Sequence, residues 1–444
     1  MTDESRPRTV MILGAGELSR ELTSAFQRLG VSVIAVDRDA GAPAHARADR
    51  SVIAKMTDPD ELTAMIEREQ PDYVVTEADD SSGRPVVATD ALEAIGERGL
   101  ADVVPTARAS RLSLDREGLR RLAADELGIP TAPFWFAGSA EELAAVAQHA
   151  GFPLVVRPVT GAPGDGDSVL VRLDDVASAW ERAVAAGGRV ANARVMAETM
   201  VEIDYEITLL TIRSTGAGGP RVHFCEPIGH RRDGRVLESW QPQEMTDAAR
   251  DSARSIAARI VNALGGRGVY SVELLVKGSE VYFVDVRPWP SDSGLVTLRT
   301  QRLTEFEMHA RAILGLPVDT IMVTPGAARV VYAEPQADAG VQADEVHTER
   351  ATQALFDALT VPESDVRILG SSTSYPQRRL GVALATAAQV KAARDRVGQV
   401  AGALDKYWVP AMSPSGEEQK APGMSPSGEE QKAGPSPSGE EQQV

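Results

Sequence analysis

The sequence predicts an α/β protein of more than one domain, and three observations carry that expectation. An apolar stretch, Thr9–Leu13, runs into Gly14-Ala15-Gly16, a helical pattern and a second apolar stretch, which is the order of a βαβ unit. Farther on, the glycine-rich run Thr160–Asp167 (TGAPGDGD) lies between two strand patterns. Third, Gly268–Gly294 reads as two strands around a tight turn, each with one acidic residue amid apolar neighbours.

Composition bounds the class. At 444 residues the chain is long enough for two or three domains, and its apolar fraction of 43% is ordinary for a globular protein. No apolar run reaches the ~18 residues that span a bilayer, and the start, MTDESRPRTV, lacks the apolar core of a signal peptide. The single cysteine, Cys225, has no partner for an internal disulfide, so a reducing, cytoplasmic setting is expected. A formal net charge of −18 argues against a nucleic-acid surface. Lysine occurs only at Lys55, Lys277, Lys391, Lys406, Lys420 and Lys432, so arginine must serve most phosphate contacts.

Taken in order, the N-terminal unit has a strand at Thr9–Leu13, a helix over Glu17–Leu29 and a strand over Val31–Val36 that ends in Asp37. Backbone N–H groups at the glycine turn and helix start suit an anion. This is half of a dinucleotide fingerprint, with an acid about 20 residues on. Ser19 stands where the third glycine belongs, however, and Glu17 would oppose a pyrophosphate. A smaller phosphorylated ligand or a purely structural turn fits better. Asp60–Glu69 reads as a helix and Tyr73–Val75 as a strand. The acidic run Glu77-Ala78-Asp79-Asp80 follows, as a ligand-binding edge or a solvated loop. Val103–Pro105 is a short strand, and Ser113–Gly118 opens a helix over Leu119–Leu127. Gly128-Ile129-Pro130 ends that helix and marks a domain boundary.

In the second unit, strands at Pro153–Pro158 and Ser168–Val171 flank the glycine-rich loop, forming a flap that can close over phosphates. A helix over Asp174–Ala186 and strands over Val195–Glu198 and Tyr205–Ile212 follow, then a polar segment, Gly229–Gln243. Ala248–Leu264 is an amphipathic helix stopped by Gly265-Gly266. Val269–Val276 and Val281–Val286 are the paired strands, joined at Lys277-Gly278-Ser279. Their acids, Glu273 and Asp285, repel each other unless a cation lies between them, and buried carboxylates need partners. Oxygen ligands without nearby His or Cys point to Mg²⁺, and through it to phosphates. Pairing with an arginine such as Arg287 is the alternative.

A helix over Leu303–Leu314 precedes a small β-rich unit that runs to about residue 408 and holds a helix over Ala387–Leu404. Within it Arg378 and Arg379 sit before a strand, either for phosphate or carboxylate binding or as surface ion pairs. From Ser413 the motif SPSGEEQ recurs, starting again at Ser425 and Ser436. This reads as a disordered tail, produced by sequence slippage or kept for solubility or partner docking.

Nine stretches carry a resemblance: GAGELSRE (Gly14–Glu21), QRLGVSVIAVDR (Gln27–Arg38), DREGLRRLAA (Asp115–Ala124), DYEITLLT (Asp204–Thr211), GHR (Gly229–Arg231), ESWQPQ (Glu238–Gln243), VEL (Val272–Leu274), DSGLVTL (Asp292–Leu298) and RRLGVALAT (Arg378–Thr386). Together they resemble the formate-dependent glycinamide ribonucleotide transformylases of the ATP-grasp superfamily, across roughly residues 8–405. The resemblance implies an ATP-grasp fold with an N-terminal Rossmann-like (pre-ATP-grasp) βαβ domain and a small β-rich C-terminal cap. The expected divisions are residues 1–120, 121–318 and 319–408, then the acidic tail 409–444. It also implies a reaction: ATP and formate give formyl phosphate, which the primary amine of glycinamide ribonucleotide attacks.

Roles follow the matched positions. Glu17, Leu18 and Glu77 would contact the ribonucleotide, with Asp292, Arg378 and Arg379 holding its other end. Arg116, Arg157, Glu198, Thr199, Met200, Val201 and Glu206 would line the ATP site, under a flap of Ala162, Pro163, Gly164, Asp165, Gly166 and Asp167. Arg157 and Asp292 would be catalytic, and Glu273 and Asp285 would hold Mg²⁺. The implied partners are formate and a phosphorylated amine, without nucleic acid or membrane. A homodimer is expected by resemblance, and the tail is a further candidate for docking.

The chain departs from the family at several of these positions. Arg157 stands for a lysine, APGDGD (Ala162–Asp167) for a Ser-Ser-Gly-Lys-Gly-Gln type run, and the shorter Asp285 for a glutamate. Arg287-Pro288-Trp289-Pro290-Ser291 replaces a Ser-Pro-Arg-Pro-His pattern, and Ser371 a lysine. A paralogue that ligates or formylates another amine, and a non-catalytic binding or scaffold descendant, therefore stand beside formylation of glycinamide ribonucleotide.

Overall fold

A computed structural model describes residues 7–77, 86–160, 166–186, 194–216, 218–233, 236–332, 345–369 and 379–408. The chain divides into two units, Met1–Trp408 and Val409–Val444, and the fold below is that of the first. Among the described residues the strands form three sheets.

The first sheet is parallel. Its strands are β1 (Thr9–Leu13), β2 (Ser32–Asp37), β3 (Arg50–Ile53), β4 (Tyr73–Thr76) and β5 (Asp102–Val104), in the order β3-β2-β1-β4-β5. β1 and β4 are nearly all apolar because helices cover both faces. These are α1 (Glu17–Gln27), α2 (Pro59–Glu69), α3 (Thr89–Glu97) and α4 (Ala107–Ser113). Leu18, Leu22 and Phe26 of α1 pack on Val10, Ile12 and Val33, while Leu62, Met65 and Ile66 of α2 cover the other side with Met11 and Leu13. Helix α5 (Arg116–Arg121) continues into a π-helical turn at Leu122–Glu126 where one straight helix is expected from the sequence.

The second sheet is antiparallel: β6 (Phe134–Ala137), β7 (Leu154–Pro158), β8 (Ser168–Leu170) and β9 (Val195–Thr199), ordered β6-β9-β7-β8 and backed by α6 (Ala140–Ala150) and α7 (Val176–Ala186). β7 and β8 are the strands expected on either side of the glycine-rich loop, and that loop's residues 161–165 lie outside the described residues.

The third sheet has nine strands. They are β10 (Tyr205–Gly216), β11 (Gly219–Phe224), β12 (Ile228–Asp233), β13 (Val236–Gln241), β14 (Gly268–Lys277), β15 (Glu280–Arg287), β16 (Gly326–Tyr332), β17 (Ser364–Ile368) and β18 (Arg379–Thr386). The order is β15-β14-β10-β12-β13-β16-β18-β17, with β11 on β10. The polar segment Gly229–Gln243, unassigned from sequence, is thus largely the β12–β13 hairpin, and β13 pairs with β16 in a continuous ladder. Helix α8 (Asp247–Leu264) buries Ile256, Ile260 and Val261 against β10, β14 and β15. A single turn, α9 (Thr297–Thr300), and α10 (Glu305–Ile313) follow the β14–β15 hairpin. Helices α11 (Glu345–Leu359) and α12 (Val390–Trp408) complete the unit, with α12 packed on β16 and β18. No helix among the described residues is long and apolar enough to cross a membrane.

Candidate active site

The β14–β15 hairpin forms as its alternation predicts, and its register sets Glu273 directly opposite Asp285. Directly opposite residues share a face of the ladder, and the register shifts only after Glu273. Both residues are half-buried. Burial raises the Glu273 carboxyl above its usual range, Asp285 adds to the rise, and Arg287 and Arg157 oppose it. Two facing carboxylates, supplied only with oxygen donors, match a site for a hard cation that keeps water or phosphate as its remaining ligands. Among the described residues no third Asp, Glu, His or Cys joins them.

Cations from β7 and α5 act on this pair. Arg157, on β7, donates from Nε to Asp167 at 3.1 Å and from Nη1 to Glu198 of β9 at 3.1 Å. Burial alone would lower its pKa, but Glu198 and Asp167 reverse this and it lies above its ordinary value. Arg120 reaches Glu198 at 3.0 Å and also donates to the Phe283 and Val284 carbonyls, joining α5 to β15. Arg116 donates to the Pro158 carbonyl at 2.7 Å, and burial pulls its pKa down while Asp285 and Asp167 hold it up. The structure therefore brings Arg116, Arg157, Asp167, Glu198, Glu273 and Asp285 into one neighbourhood. Arg120 was not singled out from sequence, although it lies in the matched DREGLRRLAA stretch.

Of the remaining expected ATP-site residues, Thr199 directly follows Glu198. Thr199 ends β9, Met200 is exposed, Val201 is half-buried, and Glu206 starts β10 exposed, with His230 Nδ1 at 3.9 Å. Gly166 and Asp167 are described, while Ala162, Pro163, Gly164 and Asp165 lie outside the described residues.

A second cluster gathers residues from three parts of the chain. Arg379, at the start of β18, donates from Nε to Asp292 and from Nη1 to Glu17 of α1 at 3.4 Å. Tyr332, at the end of β16, donates its hydroxyl to the other Asp292 oxygen. Burial would raise Asp292, but the Arg379 guanidinium and the Tyr332 hydroxyl hold it below the usual carboxylate range. Burial acts against the Arg379 charge as well, yet Asp292, Glu17, Tyr332 and Glu77 raise its pKa well above ordinary. Tyr332 had no sequence signal, because a tyrosine closing a strand looks like any core residue. The Leu18 side chain is in the core. Arg378 lies outside the described residues. Arg232 stacks over the Tyr332 ring at 5.0 Å, and its charge acts on both Asp292 and Glu273.

The glycine turn at the start of α1 has a structural role. Gly14 adopts φ +93°, a left-handed conformation that favours glycine, and its N–H donates to the Val36 carbonyl at 2.9 Å. Asp37 accepts from Ala15 N–H at 2.8 Å and from Asp39 N–H at 3.0 Å. The acid that a dinucleotide would need for its ribose is thus spent on the turn itself, in line with a structural turn.

Comparison with known proteins agrees with this layout. The family model of the ribonucleotide synthetase preATP-grasp domain matches residues 8–113, that of the ATP-grasp domain residues 122–306, and that described as PurT, C-terminal, residues 337–404. Formate-dependent phosphoribosylglycinamide formyltransferases from Corynebacterium glutamicum (strain R) and Rhodococcus jostii (strain RHA1) are each 50% identical over 398 residues, which is 89% of this chain and 93% and 94% of theirs. A solved structure of glycinamide-RNase-transformylase T from Mycobacterium tuberculosis is 52% identical, with TM-score 0.73, over 89% of this chain and 99% of that one. An N5-carboxyaminoimidazole synthase from Aspergillus clavatus, solved with ADP and 5-aminoimidazole ribonucleotide, shares the fold at 22% identity, with TM-score 0.74 over 90% and 99% of the two chains. On sequence and fold together, the chain belongs to the formate-dependent phosphoribosylglycinamide formyltransferase family, transferases built on the ATP-grasp fold.

Proposed function

We propose that this chain formylates the primary amine of glycinamide ribonucleotide, using formate and ATP. The reaction has two balanced halves. A formate oxygen attacks the γ-phosphorus, giving formyl phosphate and ADP. The amine then attacks the formyl carbon, giving the formamide and inorganic phosphate and releasing a proton. The observation that carries the reading is the direct pairing of Glu273 with Asp285, faced by Arg157 and Arg116. The curated relatives bear the formyltransferase name, which favours formylation over another amine or a non-catalytic role.

In this reading Glu273 and Asp285 would hold Mg²⁺, which when bound neutralises charge on the β- and γ-phosphates. Arg157 exchanges Asp167 for a phosphate oxygen while keeping Glu198, and Arg116 adds a second cation. Replacing the family's lysine by Arg157 keeps the charge and adds a fork, which can hold Glu198 and a phosphate oxygen at once. At the other end, Arg379 and Glu17 hold the ribonucleotide with Arg378, Leu18 and Glu77, and Asp292 receives the amine. Glu198, Thr199, Met200, Val201 and Glu206 line the nucleotide, together with Gly166 and Asp167. The reading includes the domain divisions at about residues 120, 318 and 408, a homodimer and a cytoplasmic setting.

The test is phosphate release from ATP. It should require both formate and glycinamide ribonucleotide, and Glu273→Ala should lower turnover about 100-fold or more. Turnover with a different amine only, or no Mg-ATP binding by calorimetry, would overturn the proposal. Retained activity in E273A would sink the metal assignment alone.

A further inference from the structure

We propose that Glu305 is a positioning residue for this reaction, fixing the Ser291–Gly294 turn and, through it, the aim of Asp292 at Arg379. Glu305 is the first residue of α10 and is fully buried. Its Oε2 accepts the Ser291 N–H at 2.9 Å, one residue before Asp292. Its own N–H donates to Thr297 Oγ1 at 3.0 Å, and that hydroxyl donates to the Gly294 carbonyl at 2.6 Å. The carboxyl lies flat against Gly294, where an added Cβ would overlap it. Only glycine leaves room for Glu305 at that point of the turn.

The turn is pinned from the other side as well. The Ser293 hydroxyl meets Thr208 Oγ1 of β10 at 2.8 Å and Ser291 Oγ at 3.1 Å. Thr208 is the register partner of Glu273 in the β10–β14 ladder. The Asp292 turn is therefore tied to β10, the strand paired with the one that carries Glu273, and to α10. Of these ties, Glu305 is the one made by an acid, and Glu305 Oε1 has no hydrogen-bond partner among the described residues.

Burial holds the Glu305 carboxyl well above the usual carboxylate range, and Asp292 adds to the rise. The geometry needs only an acceptor oxygen: Glu305 Oε2 takes the Ser291 N–H, and Asp292, next in the chain, takes Arg379. An amide oxygen accepts the same N–H, which predicts that an amide can replace the acid.

The inference rests on the reading of Asp292 and Arg379 as the amine-side pair. The experiment measures KM for glycinamide ribonucleotide and for ATP separately, with Tm, in E305Q, E305D, E305A and D292N. E305Q should keep both KM values within about twofold. E305D, which withdraws the carbonyl by one methylene, and E305A should raise KM for the ribonucleotide about tenfold or more and leave KM for ATP unchanged. A core support without a positioning role would instead lower Tm and leave both KM values alone. If E305A does not fold, the contrast between E305Q and E305D decides. Loss of turnover in E305Q equal to that in E305D, or equal rises in both KM values, overturns the proposal. If D292N leaves the ribonucleotide KM unchanged, the amine-side reading itself has failed; if D292N raises it and E305D does not, only the role of Glu305 falls.

Discussion

Arg120 and Glu198 show how strongly the candidate centre depends on complete pairing. Both are almost fully buried, and Glu198 is held by Arg120 and Arg157 together. Removing one partner of a buried ion pair leaves an uncompensated charge, which costs about 3–5 kcal/mol. Arg120→Ala also frees two carbonyls of β15. It should therefore lower the unfolding free energy by that amount, seen as a lower urea midpoint at unchanged m-value. Arg157 is more open, so its loss should act mainly on ATP turnover. A destabilisation by R120A of under about 1 kcal/mol would show that Glu198 is solvated rather than buried in solution.

Helix α10 carries two buried polar groups on one face, Glu305 and, one turn later, His309. His309 Nδ1 accepts the Val269 N–H at 2.9 Å at the start of β14, and its ring meets Trp289 edge-on at 5.4 Å. Burial lowers its pKa from 6.5 to about 3, so it is neutral in the fold. A base depressed in the fold contributes stability above its unfolded value, and that contribution is lost as pH falls from 6.5 towards about 3. The stability difference between wild type and His309→Gln should narrow by about 2 kcal/mol between pH 7 and pH 5, at ~1.4 kcal/mol per unit below 6.5. Urea titrations at the two pH values check this, and a constant difference would mean that His309 titrates normally.

At this scale the sequence was informative where apolar period and strand geometry agree. β14 and β15 alternate cleanly, and their carboxylates stand out against apolar neighbours. The β12–β13 hairpin was illegible because its strands are largely polar and its central cross-strand pair is ionic. Arg231 faces Glu238 in the ladder, and Glu238 also receives Arg329 and Arg394. Such a strand reads as a polar loop until its partners are known. Arg379 was visible as half of an Arg-Arg pair, but Tyr332 and Glu305 were not, since each depends on a contact far along the chain.

For the whole molecule, the family models end at residue 404 and the compact unit at Trp408, so the SPSGEEQ repeats lie beyond both. A chain ending at Trp408 should keep the kcat, Tm and homodimeric sedimentation of the full chain. Loss of the dimer on truncation would assign the tail to assembly, and a monomer in both would remove the homodimer from the proposal.

The junction of β13 with β16 has one more consequence. Strand β18, which bears Arg379, and the β14–β15 hairpin belong to the same ladder. In the proposed reaction its two ends are thus spaced by strand pairing, about 4.8 Å per strand, and not by a linker between independent lobes. A slip of one residue between β13 and β16 would carry Arg379 about 3.3 Å along its strand and turn it to the opposite face. Chimeras that exchange the C-terminal cap should therefore work only when the donor brings its own β13 edge. A single-residue insertion inside β16 should do more damage than a long one in the connection that follows it.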